Sequence, residues 1–347
     1  MNDAINFYRG KQVLVTGGAG FLGSNLATRF VQNEIAVTVV DNFHPDYGAN
    51  PFNLEGLGSN LNLIRGDITD RALMKELCGR ADVIYHIAAQ CSHVDSMIDP
   101  WLDLKFNCEG TLAVLEGAKA SAKKPVVVYA GTRAIIGAPL ESPAGESTLP
   151  NPVDVYGVNK LAAEWYGAVY ARVHGIPYVS LRLTNCFGER HQMKNGKYGI
   201  LNWFMSLALQ GKTIKIYGTG AQLRDYLYVS DAIDSFVAAG RFGEKLRNGE
   251  SFPEVQLSGE KVPFAIFNVA SGKPKAFAEC AKRVATIGGG SVEFVPWPKD
   301  REAIETGDFV ATITAAERYL GWRPKVEFEA GLQNTFAYYR QHLSRYL

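Results

Sequence analysis

Val13-Leu-Val-Thr-Gly-Gly-Ala-Gly-Phe-Leu-Gly23 is the stretch on which the fold turns. An apolar run of strand length enters a turn carrying Gly17, Gly20 and Gly23 at three-residue spacing, and the amphipathic segment Ser24–Val31 follows. A buried strand feeding a helix through a glycine turn has this form. Glycine permits the tight turn, lets a pyrophosphate approach the backbone, and allows helix and strand to pack closely. The free N–H groups at the helix start then face phosphate oxygens. A glycine-rich turn by itself is an unspecific signal. Here Asp41 closes the next apolar run, Ile35–Val40, about twenty residues past the glycines, where a dinucleotide-binding unit places its ribose-binding acid. A carboxylate there accepts hydrogen bonds from the adenosine ribose and repels a 2′-phosphate, which points to NAD rather than NADP. The other reading of Asp41-Asn42 is the start of an ordinary turn.

The 347 residues are 47% hydrophobic and 20% charged, with a net charge of +1. That is material for one large or two modest globular domains. The balance of charge gives no reason to expect nucleic acid or an anionic membrane as a partner. Met1–Lys11 lacks the apolar core of a signal peptide, and no apolar stretch approaches the length of a membrane span. Cys78, Cys91, Cys108, Cys186 and Cys280 are scattered and form no C-x-x-C pair. We therefore expect a cytoplasmic protein with reduced thiols. His86, His93 and His191 are too dispersed to argue for a metal.

Up to about Leu183, apolar runs alternate with helical patterns. The runs are Val13–Val15, Ala36–Val40, Leu61–Ile64, Val83–Ala88, Val126–Ala130 and Tyr178–Leu181; the expected helices are Ser24–Asn33, Arg71–Leu77, Asp103–Ala122 and Val158–His174. The alternation predicts an α/β fold, a Rossmann-type doubly wound parallel sheet over residues 1–183. Asp67, just past the third run, either faces the adenine or caps the following helix. Beyond Leu183 the pattern becomes shorter and mixed. A loop is expected over Gly188–Gly199, helices over Ile200–Gln210, Asp231–Arg241, Phe277–Ile287, Ile313–Leu320 and Phe328–Leu343, strands over Lys212–Tyr217 and Arg224–Val229, and a loop over Phe242–Val262. This predicts a smaller, mixed α/β substrate domain over 184–347, from which some segments return to the sheet.

Tyr156 and Lys160 stand in Asn151-Pro-Val-Asp-Val-Tyr-Gly-Val-Asn-Lys160. Four residues apart on a helix, they share a face. A neighbouring ammonium stabilises phenolate and lowers a tyrosine pKa toward working pH, which would make Tyr156 a general base. A surface pair at this spacing is also common by chance, and the nucleotide fingerprint upstream is what gives it meaning. Thr132 follows the run Val126–Ala130. Its hydroxyl either meets a reacting oxygen at the end of a central strand or serves an ordinary turn.

Taken together, these motifs resemble the extended short-chain dehydrogenase/reductases, and among them the nucleotide-sugar epimerase/dehydratase family. The resemblance runs from Val13 to about Tyr339. Besides the glycine turn and Tyr156/Lys160 it takes in His86-Ile-Ala-Ala-Gln90, Ser96-Met-Ile-Asp-Pro100, Asn107-Cys-Glu-Gly-Thr-Leu112, Arg182-Leu-Thr-Asn-Cys-Phe-Gly188, Gly218–Val229 and Leu320-Gly-Trp-Arg-Pro324. It implies that Gly17, Gly20, Phe21 and Leu22 wrap the NAD pyrophosphate. It implies that Asp41, with Asn42 beside it, binds the adenosine ribose, that Asp67 and Ile68 border the adenine, and that Ala88, Ala89 and Gln90 line the cofactor. Thr132, Tyr156 and Lys160 take the catalytic positions, and Lys160 also holds the nicotinamide ribose. Asn185, Arg224 and Arg301 are expected on the substrate diphosphate, although the spacing from Arg301 to Asp308 departs from the family pattern. Tyr217 is expected to stack on the nucleobase or to pack in the small domain. The implied substrate is a nucleotide-diphospho-sugar, UDP favoured, and the implied assembly a homodimer.

The departures bear on reaction type. Dehydratases of this family carry two acids directly after the catalytic threonine, and decarboxylating relatives usually keep the second. Here those positions are Arg133 and Ala134. Arg133 would meet an anionic sugar or point to solvent, and we take solvent as the expectation. The resulting functional expectation is an NAD-dependent nucleotide-sugar epimerase, acting at C4 of a UDP-hexose through a transient 4-keto sugar. The alternatives on the same scaffold are a 4,6-dehydratase, a decarboxylase or a reductase; the remote one is a non-catalytic dinucleotide-binding regulator.

Overall fold

In the computed structural model, which describes residues 2–255 and 262–347, each apolar run of the first half becomes a strand of one sheet. These are β1 (Val13–Thr16), β2 (Val37–Asp41), β3 (Leu61–Arg65), β4 (Val83–His86), β5 (Val126–Thr132) and β6 (Tyr178–Leu183); a seventh, β7 (Phe264–Val269), joins from far downstream. The order is β7-β6-β5-β4-β1-β2-β3, and every neighbouring pair is parallel. The strands read as continuous apolar runs because both faces are covered. Val13 and Val15 turn to one side, with α1 (Phe21–Val31) and α5 (Val229–Arg247). Leu14 turns to the other, with α2 (Arg71–Arg80), α3 (Gly110–Ala120) and α4 (Val155–His174). From β1 the chain builds outward through β2 and β3, then returns to place β4 on the opposite side of β1. The carboxyl ends of β1 and β4 therefore diverge into a crevice, the place where such sheets bind ligands.

The second half departs from the expectation at several points. The helix expected to stop at Arg241 runs on to Arg247, through residues read as loop. Phe242 packs on Phe252 and Phe267, while a Cβ on Gly243 would fall 2.2 Å from Val126 Cγ1, so the extension lies flat on the sheet. Of the remaining expected loop, residues 256–261 lie outside the described residues. The strand expected over Arg224–Val229 is split into Leu223–Arg224 and Tyr226–Tyr228. Asp225 makes the break: its carboxylate accepts from the Thr184 hydroxyl and from the Ser271 N–H and hydroxyl, tying the strand ends together. Ser291–Val295, which no pattern singled out, pairs in parallel with Thr213–Tyr217. The expected helix Asp103–Ala122 is interrupted by a π-turn at Lys105–Glu109, where the Asn107 amide reaches the Gln90 carbonyl oxygen. Helices Ile200–Leu209, Phe277–Gly288 and Phe328–His342 follow the expectation, a short helix forms at Lys299–Glu302, and the helix expected over Ile313–Leu320 appears as a π-turn at Ala316–Leu320. Among the described residues no helix is long and apolar enough to cross a membrane.

Candidate active site

Where β1 and β4 diverge there is a cavity of about 500 Å³, a size ordinary for cofactor and substrate sites. The glycine turn forms one wall. Gly17 has φ of +68°, and a Cβ there would lie 2.7 Å from Ala88 Cα, so both the conformation and the approach of the β4 end require glycine. Gly23 answers to another contact, since its Cβ would fall 2.3 Å from the Gly17 carbonyl oxygen. Gly20 begins α1 with no side-chain cap. The N–H groups of Phe21 and Leu22, at the positive end of the helix, are thereby left for an anion.

Asp41 is 8% exposed; its Oδ2 accepts from the Ala19 N–H at 3.0 Å and its Oδ1 from the Phe43 N–H at 2.9 Å. Burial pushes its carboxyl up, and these N–H groups with the Arg65 charge pull it back. Arg65 stands opposite Asp41 in the β2–β3 register, its guanidinium 4.8 Å from the Phe43 ring centre. The Asn42 amide donates to Asp67 Oδ2 at 2.9 Å, while Asp67 Oδ1 accepts from the Thr69 N–H and hydroxyl. Burial raises the Asp67 carboxyl, but these donors together hold it below its usual value. The helix cap open to Asp67 is taken by Asp70, which accepts from the Ala72 and Leu73 N–H groups. Asn42 and Ile68 line the cavity; Asp67 does not, and stands behind Asn42 as its hydrogen-bond acceptor. Ala88 and Ala89 also line it, but Gln90 does not. The Gln90 amide closes on the Ser92 backbone, donating to its carbonyl oxygen at 3.1 Å and accepting its N–H at 2.7 Å. It shapes the loop after β4, and Cys91 and His93 reach the cavity in its place.

Thr132 at the end of β5 meets Tyr156 and Lys160 of α4 in the same cavity. Asp154 caps α4 by accepting the Gly157 N–H at 2.7 Å, which sets Tyr156 in the first turn and Lys160 one turn on. The Thr132 hydroxyl accepts from the Ala134 N–H at 3.1 Å and reaches the Tyr156 phenol. The expected lowering of the Tyr156 pKa is not found. Burial, then the charges of Cys91, Asp103 and Asp154, push the phenol well above its usual value, and only Thr132 opposes them. Lys160 is itself buried, which pushes it down to about 8, and its ammonium lies 4.1 Å from the centre of the Tyr129 ring. His93 is a site residue the sequence reading passed over. Its Nδ1 lies 2.5 Å from Asp154 Oδ2, and its ring meets Tyr156 edge-on with centroids 5.1 Å apart. His93 and Asp154 are 61 positions apart; weighed only as a metal ligand, His93 had no partner in view.

Asn185, Tyr217, Arg224 and Arg301 line the other end of the cavity. The Asn185 amide donates to the Asp225 carbonyl oxygen at 3.1 Å. Tyr217 faces Trp297, also unforeseen, with ring centroids 5.4 Å apart. Arg224 is 7% exposed; it donates to the Leu223 and Gly307 carbonyl oxygens and pairs with Glu305, so it ties down the segment 305–307. Arg301 lies 3.8 Å from Asp300. Arg133 overturns the expectation that it points to solvent. It is half-buried and lines the cavity, donates to the Thr306 hydroxyl at 3.1 Å, and lies 5.4 Å from the Phe309 ring centre. Burial and the nearby Arg224 charge push it down to about 10. Thr306 lies 173 positions further along the chain, so no local pattern could place this side chain.

Residues 13–253 match the model of the NAD dependent epimerase/dehydratase family. The chain belongs to this family. A UDP-glucose 4-epimerase of Mycolicibacterium smegmatis is 29% identical to it, over 95% of this chain and 98% of that protein. UDP-glucuronic acid decarboxylase 1 of Xenopus tropicalis is 31% identical, over 96% of this chain and 73% of its own length. The crystal structure of a UDP-glucose 4-epimerase with UDP-glucose from Thermotoga maritima superposes with a TM-score of 0.82 at 29% identity, covering 96% of this chain and 99% of that one. The family's cofactor is NAD. The turn fits it, because the space a Cβ at Gly17 would need is already filled by Ala88 and the uncapped start of α1 faces the cavity. These relatives include both an epimerase and a decarboxylase, so membership fixes the scaffold and the cofactor and leaves the reaction open.

Proposed function

We propose that the protein is an epimerase of a nucleotide-diphospho-sugar, a UDP-sugar by preference, acting at C4 through a transient 4-keto sugar. The observation that carries this is the set of acids around the cavity. Among the described lining residues only Asp41 and Glu305 are acidic. Asp41 belongs to the glycine-turn end, and the Glu305 Oε1 already accepts from Arg224 and from the Gly307 N–H. Elimination of water needs a proton donor at the leaving oxygen and a base at the neighbouring carbon. Epimerisation needs neither.

NAD, when bound, supplies a reversible hydride acceptor with a cationic ring. Tyr156 takes the proton from the sugar hydroxyl and later returns it, with Thr132 holding the same oxygen. Because burial disfavours phenolate, that proton moves only while the Thr132 hydroxyl supports the oxygen, with Lys160 one helical turn away. Asp154 keeps Tyr156 and His93 in place through the start of α4. Tyr217 and Trp297 offer aromatic faces for a nucleobase, and Asn185 with Arg301 offers donors for the diphosphate. In this reading the sheet half, residues 1–183, holds the cofactor, and residues 184–347 supply most of the substrate contacts. We also place the protein in the cytoplasm, on its composition and reduced thiols.

One observation favours a second reading. His93 touches Tyr156 and leaves Nε2 outside its contact with Asp154, a ring nitrogen able to exchange a proton in the cavity, as a dehydratase requires. Mass spectrometry of the products from UDP-hexoses and UDP-glucuronate, without added NADH, separates these readings. Unchanged mass supports epimerisation; loss of a water mass shows dehydration, and loss of carbon dioxide from a uronate shows decarboxylation.

The homodimer belongs to the same proposal. Val158, Trp165, Val169 and Val173 form an exposed stripe on α4, beside exposed Met97, Ile98 and Trp101 on the neighbouring helices. A contiguous apolar face of this kind marks an interaction surface, and a second copy of the same face would cover it.

A further inference from the structure

We propose that Arg133 is the specificity-determining contact for a carboxylate on the sugar, so that the substrate is a nucleotide-linked uronic acid rather than a neutral hexose. This rests on the nucleotide-sugar reading above and narrows it. The first support is position. Arg133 directly follows Thr132 in the chain and lines the same cavity as Thr132 and Tyr156, its guanidinium reaching across to Thr306.

The second is the balance of charge. A half-buried guanidinium carries five N–H donors, and Arg133 spends one on Thr306. Glu305, the acid that acts on it most, is spent on Arg224, and among the described residues no carboxylate makes an ion pair with Arg133. A charge withdrawn from water without a partner is costly unless a ligand supplies one. Arg224 spends three of its donors on the Leu223 and Gly307 carbonyl oxygens and on Glu305, so that acid is not left for Arg133. The third is shape: a guanidinium fork held between the Thr306 hydroxyl and the Phe309 ring is planar, rigid and suited to the two oxygens of a carboxylate. A hexose substrate carries a carboxylate near its reacting C4 when C6 is oxidised.

The test compares UDP, UDP-glucose and UDP-glucuronate on the purified holoenzyme, with binding read by calorimetry and turnover by mass spectrometry of the product. The wild-type protein should favour UDP-glucuronate over UDP-glucose at least tenfold in kcat/KM. Arg133→Gln should erase that preference, with UDP itself bound within about twofold of wild type, and Arg133→Lys should restore part of it. Preference of the wild type for UDP-glucose, or equal use of both sugars, overturns the inference and requires no variant to fold. So does an Arg133→Gln protein that loses UDP and UDP-glucuronate affinity equally, since the arginine would then serve the diphosphate. Failure of all three ligands to bind the wild type removes the nucleotide-sugar reading itself, and the inference with it.

Discussion

Asp41→Asn changes one oxygen of a nearly buried side chain into an amide nitrogen, and two consequences can be sized. Both carboxylate oxygens accept a backbone N–H, from Ala19 and from Phe43. Whichever oxygen is replaced, one of those donors then faces another donor. An unsatisfied, mostly buried N–H costs about 1–3 kcal/mol. Part of this is offset because the carboxylate is itself desolvated, as the upward push on its pKa shows. We therefore expect a net loss near 1–2 kcal/mol, which for a chain of 347 residues is a fall in Tm of about 1–3 °C. The second consequence is cofactor choice. In the wild type a 2′-phosphate would meet the Asp41 carboxylate, and NAD should bind at least about tenfold tighter than NADP, roughly 1.4 kcal/mol. Arg65 stands opposite Asp41 and favours the phosphate, so it limits the gap. With the carboxylate gone, Arg65 acts alone, and the preference should shrink to about threefold or reverse. Calorimetric titration of cofactor-stripped wild-type and variant protein measures both ratios. Full NAD preference in Asp41→Asn would refute the charge argument, since exclusion of NADP would then come from shape alone.

Other consequences can be checked directly. Tyr156→Phe should lower turnover about a hundredfold or more, in line with loss of acid–base catalysis, while NAD content after purification stays near wild type. Asp154→Ala removes the cap of α4 and the partner of His93 together; a stability loss of about 1 kcal/mol from the cap should be accompanied by a larger fall in kcat than in 1/KM, whereas equal wild-type kinetics would leave His93 without a role. Trp165→Glu on the exposed stripe of α4 should give a monomer by light scattering at the same far-ultraviolet dichroism. For pH, burial raises the thiols of Cys78, Cys91, Cys186 and Cys280 to about 12 and that of Cys108 to about 11, from 9.0. Their stabilising contribution is complete below pH 9 and is lost as pH rises through 11–12. Lys160, lowered from 10.5 to about 8, acts in the opposite sense between those values, but it is one group against five, so thermal stability should fall steadily above pH 9.

What was legible in the sequence is what short-range rules control. The glycine turn, the alternating buried runs and the four-residue step from Tyr156 to Lys160 are local patterns, and the strands and α4 appear within a few residues of where those patterns place them. Phe264–Val269 is as apolar as any other strand, but it lies far from the alternating units and follows a long polar segment, so nothing adjacent marked it as part of the sheet. The missed site residues fail for the same reason. His93 acquires meaning only from Asp154, Trp297 from Tyr217, and Arg133 from Thr306 and Glu305, and each pair is joined by the fold rather than by spacing. The direction of the Tyr156 pKa was misjudged because a helical neighbour was counted and burial was not. The loss of water, then Cys91 and Asp103, set the direction, and what opposes them is Thr132 rather than the helical neighbour Lys160.

The same comparison bears on how much the missing acids after Thr132 can say. A motif read by absence excludes a donor only at those two positions, whereas a cavity can recruit one from anywhere in the chain. Here the fold brings His93 against Tyr156 and Glu305 into the same cavity, and neither stands in line with the usual acidic pair. Glu305 is held by Arg224 and the Gly307 N–H, which leaves it as an acceptor that positions an arginine. His93 is held at Nδ1 by a buried aspartate and keeps one ring nitrogen for the cavity. For a neutral hexose, which keeps a 6-hydroxyl to lose, the choice between epimerase and dehydratase thus turns on one side chain. His93→Gln tests it: an enzyme that produces isomers should keep unchanged product mass and lose rate only through a loosened Tyr156, whereas an enzyme that eliminates water through His93 should stop at the 4-keto sugar, detectable as a product two mass units below its substrate.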